Sequence, residues 1–288
     1  MGLIDFVKLI RPQQWYKNIL IFVALFFSFN VTNIDLLTLT IFGFISLCLV
    51  SSSGYIINDI IDIKNDMKHP EKRKRPIASG KISIFSALLI SFVFLIGGIL
   101  LSYILGELFF YSVVILFIIS ILYSIGLKHE MFLDIIIIGV LFVIRAVSGA
   151  LLIDVKVTPW FIVVIFFLAL FLVIGKRYGD KEFMGTNAHE HKVVLKSYSK
   201  ELLNLLMTMT ITAMIVFYTL YCFLGHNGEK IMLIIGLPIV MYGIFRYLFL
   251  INNGSKITRH PDKMFTDARL VITLLLWLAV NFYIFYLV

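Results

Sequence analysis

The sequence predicts an all-α membrane protein, a bundle of about nine transmembrane helices. Among the 288 residues, 60% are hydrophobic and only 15% are charged, and the mean hydropathy is +0.99. A soluble domain cannot bury that much apolar surface. The apolar residues also fall in runs of about 20, the length that crosses the hydrocarbon core of a bilayer. We therefore expect one polytopic helical membrane domain over residues 1–288.

Apolar runs of bilayer length define the predicted spans in chain order. They cover residues 13–29, 37–57, 84–104, 109–126, 132–152, 159–178, 206–224, 231–251 and 269–287. The first run is short, and it begins at a segment that contains Arg11, Trp15, Tyr16 and Lys17. Residues of these types are common where a helix meets the lipid headgroups. The later runs are typical of full transmembrane helices.

The distribution of basic residues predicts the orientation of these spans. With the N-terminus in the cytoplasm, only Lys156 and Lys230 of the 25 lysines and arginines fall in the outer segments. Because cytoplasmic loops are enriched in basic residues, we expect a cytoplasmic N-terminus and an external C-terminus. The net charge of +8 does not indicate a nucleic-acid partner, since the positive charge lies in loops between apolar spans.

The long charged loops all fall on the predicted cytoplasmic side, at 58–83, 127–131, 176–205 and 252–268. Polar chemistry is therefore expected at that face. Within the third loop, residues 190–204 predict a short amphipathic helix on the membrane surface. Its apolar side chains would be Val193, Val194, Leu195, Leu202 and Leu203.

The segment Asn58–Gly80 is the most highly charged part of the chain. Four oxygen-bearing side chains occur there at spacings of one, three and four residues: Asn58, Asp59, Asp62 and Asp66. They share one broad face if the preceding helix continues through them. Carboxylates this close need a cation between them, and Mg²⁺ takes such oxygen ligands together with phosphate and water. We predict that all four bind Mg²⁺ and that the three aspartates are catalytic; a solvated loop that only sets topology is the alternative.

Basic and polar side chains, all but one of them near the predicted cytoplasmic face, could hold a phosphorylated ligand on that metal. The predicted phosphate-binding residues are Lys17, Lys72, Arg75, Tyr123, Lys128, Arg145, Lys176 and Arg177. Charges at helix ends that only set topology, or an interfacial anchor at Lys17, are the alternatives. Asp180 and Glu182 follow the last pair and could add metal ligands.

Arg145 lies deep in the fifth predicted span, on the same face as Asp134 and about 16 Å from it along the helix axis. That distance is too long for a direct ion pair, so each group needs another partner or a wet cavity. A buried guanidinium suits a phosphate or carboxylate partner. An interhelical salt bridge is the alternative.

Several motifs together resemble a known family. An NDxxDxxxD block at residues 58–66, after the second span, and RPIASG at 75–80 resemble the UbiA superfamily of intramembrane prenyltransferases. The resemblance extends over the whole chain in span count, topology and motif position. Other motifs resemble its polyprenyl-phosphate phosphoribosyltransferase branch: RPQQWYKN, HPEKRKRPIASG, YSIGLKHEMFLDI, FVIRAVSGA and GKRYGDKE.

The resemblance implies a UbiA-like bundle and a Mg²⁺-dependent transferase with two substrates. The donor would be phosphoribosyl pyrophosphate and the acceptor a polyprenyl phosphate, giving a lipid-linked pentose precursor of cell-envelope glycans. It also implies a plasma or inner membrane location with the active site facing the cytoplasm, and it is compatible with a homo-oligomer.

The sequence departs from the resembled family at one motif, and two other functions have to be considered. Many superfamily members carry a second DxxxD block, whereas this sequence offers only Asp180 and Glu182, so the first block should dominate. A UbiA-type prenyltransferase, moving a prenyl group from its diphosphate to an aromatic or other acceptor, would use the same acids. A transporter would need more polar residues within its spans than this chain has.

Overall fold

The computed structural model describes residues 2–184, 193–224 and 231–287, and every regular element in these ranges is an α- or 3₁₀-helix. The predicted all-α class is confirmed. The chain divides into two compact units. The first contains residues 1–137 and 144–156, and the second contains residues 138–143 and 157–288.

The first unit contains seven α-helices, the last of which it shares with the second unit. They are α1 (Leu3–Ile10), α2 (Ile21–Phe27), α3 (Ile34–Ile61), α4 (Ile63–Lys68), α5 (Ile84–Leu105), α6 (Glu107–Ile125) and α7 (Leu133–Leu152). Short 3₁₀-helices cover Pro12–Leu20, Lys72–Lys74 and Leu127–His129. Helix α3 is the longest, and α1, α5 and α6 pack against it.

The remaining α-helices belong to the second unit. They are α8 (Pro159–Met184), α9 (Lys200–Leu224), α10 (Leu237–Asn252), α11 (Lys256–Arg259) and α12 (Ala268–Tyr286). The 3₁₀-helices of this unit cover Val193–Lys196, Ile231–Gly236 and Pro261–Thr266.

Eight helices in the described parts of the chain are long and apolar enough to cross a membrane. They correspond to the second through ninth predicted spans. The first predicted span, 13–29, consists instead of a nine-residue 3₁₀-helix followed by the seven-residue α2. Pro12 and the polar residues Gln13, Gln14 and Lys17 interrupt the apolar pattern there, and proline cannot donate a backbone hydrogen bond. A ninth transmembrane helix and the orientation of the termini stay predictions.

The surface helix expected at 190–204 differs in the structure. Residues 190–192 lie outside the described ranges, Val193–Lys196 is a 3₁₀-helix, and α9 begins at Lys200. Val194, Leu195 and Leu203 are buried within the protein. Where it is described, this segment therefore contributes apolar side chains to the core instead of lying on a lipid surface.

Polar contacts between helices fix α3 against α5. The hydroxyl of Ser46 donates to the carbonyl oxygen of Gly98 at 2.8 Å, and Ser53 and Ser91 share a hydrogen bond of 2.8 Å. Small residues let helix backbones approach closely, and such hydrogen bonds satisfy polar groups that lipid cannot. The C-terminal half of α3 is thereby held rigidly, and the charged segment follows directly from it.

Gly149 of α7 lies directly against the backbone of Ile21, and a Cβ added there would overlap the Ile21 carbonyl oxygen. We expect Gly149→Ala to destabilise the protein by about 1–3 kcal/mol, because a backbone atom cannot rotate away as a side chain can. Thermal unfolding in detergent measures the loss. The control is Gly97→Ala, whose Cβ would meet nothing nearer than Leu49 at 3.8 Å. Equal Tm values for the two variants would contradict this packing.

Candidate active site

The acidic segment lies at the end of α3 and continues into α4. Helix α3 ends at Ile61, Asp62 has φ −88° and ψ 4°, and α4 begins at Ile63. The backbone N–H of Asp62 donates to Asn58 O at 2.9 Å, and that of Asp66 donates to Asp62 O at 2.8 Å. The helix is therefore interrupted only at Asp62. The four side chains still lie on roughly one face, as predicted, but they do not belong to one continuous helix.

Arg75 joins two of the predicted metal ligands. Its Nη1 atom donates to Asp59 Oδ1 at 2.9 Å and to Asp66 Oδ2 at 2.5 Å. Both carboxylates are only 2% exposed. Buried carboxylates need compensating partners, and a guanidinium supplies both charge and directed hydrogen bonds. Arg75 therefore brings Asp59 and Asp66 to a common point.

The other two predicted ligands converge on Lys128. Its Nζ atom lies 2.5 Å from Asp62 Oδ1 and 3.4 Å from Asn58 Oδ1. Lys128 belongs to the short 3₁₀-helix after α6 and is only 8% exposed. A buried ammonium in contact with a carboxylate and an amide oxygen is a defined ion pair and not a solvated topology charge. Lys128 therefore lies beside two of the predicted metal ligands, and its role in binding phosphate stays a prediction.

The loop after α4 folds back and so delivers Arg75. His69 is buried, and its Nδ1 accepts hydrogen bonds from the backbone N–H groups of Glu71 and Lys72 at 3.1 and 3.3 Å. Farther along, Ile77 joins an apolar cluster with Leu9, Ile56, Ile82 and Ala87. Burying Ile77 anchors the chain two residues beyond Arg75, which points the guanidinium toward α3.

Arg11 is a site residue that the sequence analysis did not select. It ends α1 in a left-handed conformation, with φ 54° and ψ 59°, and its Nη2 contacts Asp59 Oδ1. Its guanidinium also lies 5.6 Å from the centre of the Tyr55 ring. The only signal in the sequence is its place in RPQQWYKN, a segment whose residue types are also typical of a helix end at the lipid headgroups. A contact across 48 residues cannot be read from local pattern.

Burial dominates the electrostatics of Asp66. It raises the pKa of this carboxyl above its ordinary value, and the positive charges of Arg75 and Lys72 offset part of the rise. The offset depends on the Arg75 contact, so the protonation of Asp66 is linked to the position of one guanidinium.

A second polar cluster in the first unit lies along α3, before the acidic segment. The Nζ of Lys17 contacts Gln14 Oε1 at 2.7 Å and Tyr55 Oη at 3.4 Å. The Nε of Arg145 donates to Asn18 Oδ1 at 2.8 Å, an oxygen that also accepts from Ser51 at 3.3 Å.

The acceptors in these contacts are all neutral, whereas Arg75 and Lys128 each contact at least one carboxylate. Two predicted phosphate-binding residues, Lys17 and Arg145, therefore lie in a polar environment inside the unit. Asp134 is fully buried and Arg145 is 5% exposed, as expected for charged groups that avoid lipid.

The remaining predicted residues fall elsewhere. Tyr123 is half-buried in the last turn of α6, and Lys72 is half-buried in its 3₁₀-helix. Lys176 and Arg177 belong to the second unit, in α8.

The acids of the second unit also form ion pairs. Asp180 lies 3.9 Å from Arg177 Nη1 and 3.8 Å from Arg259 Nε. The carboxylate of Glu182 lies 3.6 Å from Lys200 Nζ. Arg259 is a further residue of this cluster that the sequence analysis did not select. Whether Asp180 or Glu182 binds metal stays a prediction.

The donor set of the first unit fits magnesium. Asn58, Asp59, Asp62 and Asp66 supply only oxygen donors, the type that Mg²⁺ prefers. Each of two cationic nitrogens already lies between two of these side chains, so pairs of donors converge on positive charge. Within residues 2–184, 193–224 and 231–287, no three acidic, histidine or cysteine side chains are grouped closely enough to hold a metal by themselves. The carboxylates are arranged as ion pairs, and their metal ligation stays a prediction.

Comparison with known proteins decides the family. The profile described as the UbiA prenyltransferase family matches residues 19–266. The chain belongs to this family. It is therefore an integral membrane transferase, and the resemblance drawn from NDxxDxxxD and RPIASG is confirmed.

Curated relatives refine the comparison. The chain is 29% identical to a decaprenyl-phosphate phosphoribosyltransferase of Mycolicibacterium smegmatis, over 95% of this chain and 90% of that protein. It is 30% identical to the enzyme of that name from Corynebacterium glutamicum, over 75% of this chain and 67% of the relative. Proteins named decaprenyl-phosphate phosphoribosyltransferase are thus similar to the chain over most of its length.

Solved structures share the fold. A UbiA homologue from Archaeoglobus fulgidus, bound to GPP and Mg²⁺, superposes with a TM-score of 0.73 at 22% identity, covering 98% of this chain and 99% of that one. The same homologue bound to DMAPP and Mg²⁺ gives 0.74, with 99% and 100% covered. A divalent metal is therefore consistent with the fold.

Replacing Arg75 tests the ion-pair arrangement. We expect Arg75→Gln to destabilise the protein by about 2 kcal/mol, because it leaves two buried carboxylates with less compensation. Without Arg75, the pKa of Asp66 in the folded protein rises further. The loss of stability in Arg75→Gln is therefore largest at a pH above this raised pKa, where Asp66 is ionised, and it shrinks as the pH falls through it. Thermal unfolding between about pH 8 and about pH 5 measures the trend. The control is Arg73→Gln, because the Arg73 side chain is exposed. A loss of stability that is equal in the two variants would be inconsistent with the Arg75 bridge. So would a loss in Arg75→Gln that does not change with pH.

Proposed function

We propose that this UbiA-family protein transfers the 5-phosphoribosyl group of phosphoribosyl pyrophosphate to a polyprenyl phosphate, releasing pyrophosphate. The observation that carries the proposal is the first unit's cluster of three carboxylates with Arg11, Arg75 and Lys128. It offers both a metal-binding donor set and groups that bind phosphate. The curated relatives named decaprenyl-phosphate phosphoribosyltransferase support this pair of substrates.

The metal would be held by Asn58, Asp59, Asp62 and Asp66. When bound, Mg²⁺ would neutralise charge on the pyrophosphate and so favour its departure. Arg11, Arg75 and Lys128 contact these same side chains, so they lie where they can hold the phosphates of the donor. We propose that the donor binds there, at the cytoplasmic face of a plasma or inner membrane.

Lys17 and Arg145 suit the acceptor phosphate. Their hydrogen bonds to Gln14, Tyr55 and Asn18 go to neutral oxygens, which an anionic oxygen can replace or supplement. In the reaction, the bond from ribose C1 to the pyrophosphate oxygen breaks, and a bond from C1 to an oxygen of the lipid phosphate forms. A phosphate monoester is mostly ionised at neutral pH, since its second pKa is about 6. No side chain has to remove a proton from the nucleophile.

We also propose that the product serves as a lipid-linked pentose precursor for cell-envelope glycans and that residues 1–288 act as one functional domain. Lys72, Tyr123, Lys176 and Arg177 are proposed as further contacts to substrate phosphates.

Prenyl transfer is the second candidate function. The family description and the homologues solved with GPP and DMAPP favour it, since those ligands are prenyl diphosphates. The same carboxylates would then hold the diphosphate of a prenyl donor, and the acceptor would be an aromatic or other nucleophile.

One assay separates the two candidates. Purified protein is incubated with phosphoribosyl pyrophosphate labelled in the ribose, a polyprenyl phosphate and Mg²⁺, and the label in the organic phase is counted. We expect transfer that requires the metal and the lipid. In a parallel reaction, a labelled prenyl diphosphate and an aromatic acceptor should give no product. Prenyl transfer without phosphoribosyl transfer would reverse the assignment.

Asp62→Asn tests the carboxylate role. We expect at least about a 100-fold loss of transfer, because the amide removes a charge that both the metal and Lys128 need. Initial rates over a Mg²⁺ titration measure it. Asp5→Asn is the matched control, since Asp5 pairs with Lys81 at the surface and lies outside the carboxylate cluster. Undiminished activity in Asp62→Asn would exclude Asp62 from the site.

A further inference from the structure

Helix α1 carries an outward apolar face that the site does not use. At about 100° per residue, Leu3, Ile4 and Val7 fall within one continuous arc of the helix. These side chains are 79%, 71% and 43% exposed. Asp5 and Lys8 fall in a separate arc, so apolar and charged residues do not mix. This separation is typical of a helix that lies in the plane of a membrane interface.

The third arc of α1 packs against the protein. Leu9 and Ile10 are buried, and the ring of Phe6 lies 6.3 Å from that of Phe94 in an edge-to-face arrangement. Leu9 belongs to the same apolar cluster as Ile56 of α3. Helix α1 is therefore fixed on α3 and α5, and the exposed arc is a second apolar face, not the side that packs on the protein.

The helices beside α1 indicate which phase its exposed arc meets. Both helices that α1 contacts are long and apolar enough to span a membrane, and α5 itself exposes Phe92 and Val93, the two residues before Phe94. An exposed apolar arc on a helix packed against membrane-spanning helices is typical of contact with lipid. Lys8 is exposed on the charged arc, where it would meet anionic headgroups.

The end of α1 is tied to the acidic site. Ser52 of α3 donates to the carbonyl oxygen of Ile10 at 2.8 Å and accepts from Trp15 Nε1 at 3.0 Å. Ser52 and Asp59 are seven residues apart, so they lie on one face of α3. Arg11, directly after Ile10, reaches Asp59 from this anchored position. The placement of α1 therefore determines where the Arg11 guanidinium lies.

We propose that α1 is an interfacial helix whose Leu3, Ile4 and Val7 insert among lipid acyl chains, and that this docking holds Arg11 on Asp59. The bilayer then acts through α1 on where the Arg11 guanidinium lies. The proposal concerns a lipid surface and does not depend on which substrates the protein uses.

Nitroxide accessibility tests the docking. Ile4→Cys, Val7→Cys and Lys8→Cys are labelled singly in the full-length protein, in nanodiscs of phosphatidylcholine and phosphatidylglycerol. Collisions with oxygen, which partitions into lipid, are compared with collisions with a water-soluble nickel chelate. We expect the labels at 4 and 7 to favour oxygen and the label at 8 to favour nickel. Wild-type protein, whose Cys48 and Cys222 are buried, is treated in parallel as the labelling control.

Three outcomes would overturn the docking. Nickel-favouring signals at all three positions would place α1 in water. Dipolar broadening between labels at position 4 or 7 would show a second copy of the chain on this face. Equal collision ratios at all three positions would also contradict the separation of faces.

A double-mutant cycle tests the link to Arg11. Leu3→Asn together with Ile4→Asn should lower the Tm in nanodiscs, and the drop should be smaller when Arg11→Gln is already present. Lys8→Asn, on the charged arc, is the matched control; in nanodiscs of phosphatidylcholine alone, which carry no net headgroup charge, it should leave the Tm nearly unchanged. If the two changes add independently, α1 docks without positioning Arg11, and that part of the proposal is wrong.

Discussion

The Arg75 guanidinium makes the acidic segment possible. Asp59 and Asp66 are both buried, and two ionised carboxylates in such a place repel each other and lose hydration. One Nη1 atom within hydrogen-bond distance of both removes the repulsion and gives each carboxylate a partner. The turn at His69 and the burial of Ile77 bring Arg75 back to α3 and so allow these contacts. A divalent cation could bind to the same carboxylate oxygens, because those of Asp59 and Asp66 already converge on one positively charged group.

The membrane setting imposes a second constraint on the first unit. Polar groups inside a bilayer must find partners within the protein. Along α3 they do so at every level, from the Ser46 contact with Gly98, through Ser51 and Asn18, to the acidic segment. The buried Arg145 uses Asn18 in the same way. A chain that is otherwise apolar thus carries polar side chains along one helix, and substrate phosphates are proposed to bind near the end of that helix.

Membership of the UbiA family fits this division between an apolar scaffold and one helix that carries polar side chains. In the second unit, Asp180 lies between Arg177 and Arg259, and Glu182 lies near Lys200. Each of these two acids has a basic neighbour, as Asp59, Asp62 and Asp66 have in the first unit.

The sequence by itself determined the helical membrane class, eight of the spans and the acidic residues, because hydropathy and charge spacing are local properties of the chain. It also pointed to Arg75, which shares a loop with these acids, and to Lys128, which lies in another predicted cytoplasmic loop. Only the tertiary structure showed that Arg11 reaches Asp59 across 48 residues and that Lys128 pairs with Asp62 across 66. It also showed a 3₁₀-helix followed by the short α2 in the first predicted span, and it showed that Val194 and Leu195 are buried. Such features depend on which segments pack together, and the pattern within one segment carries no information about its partner.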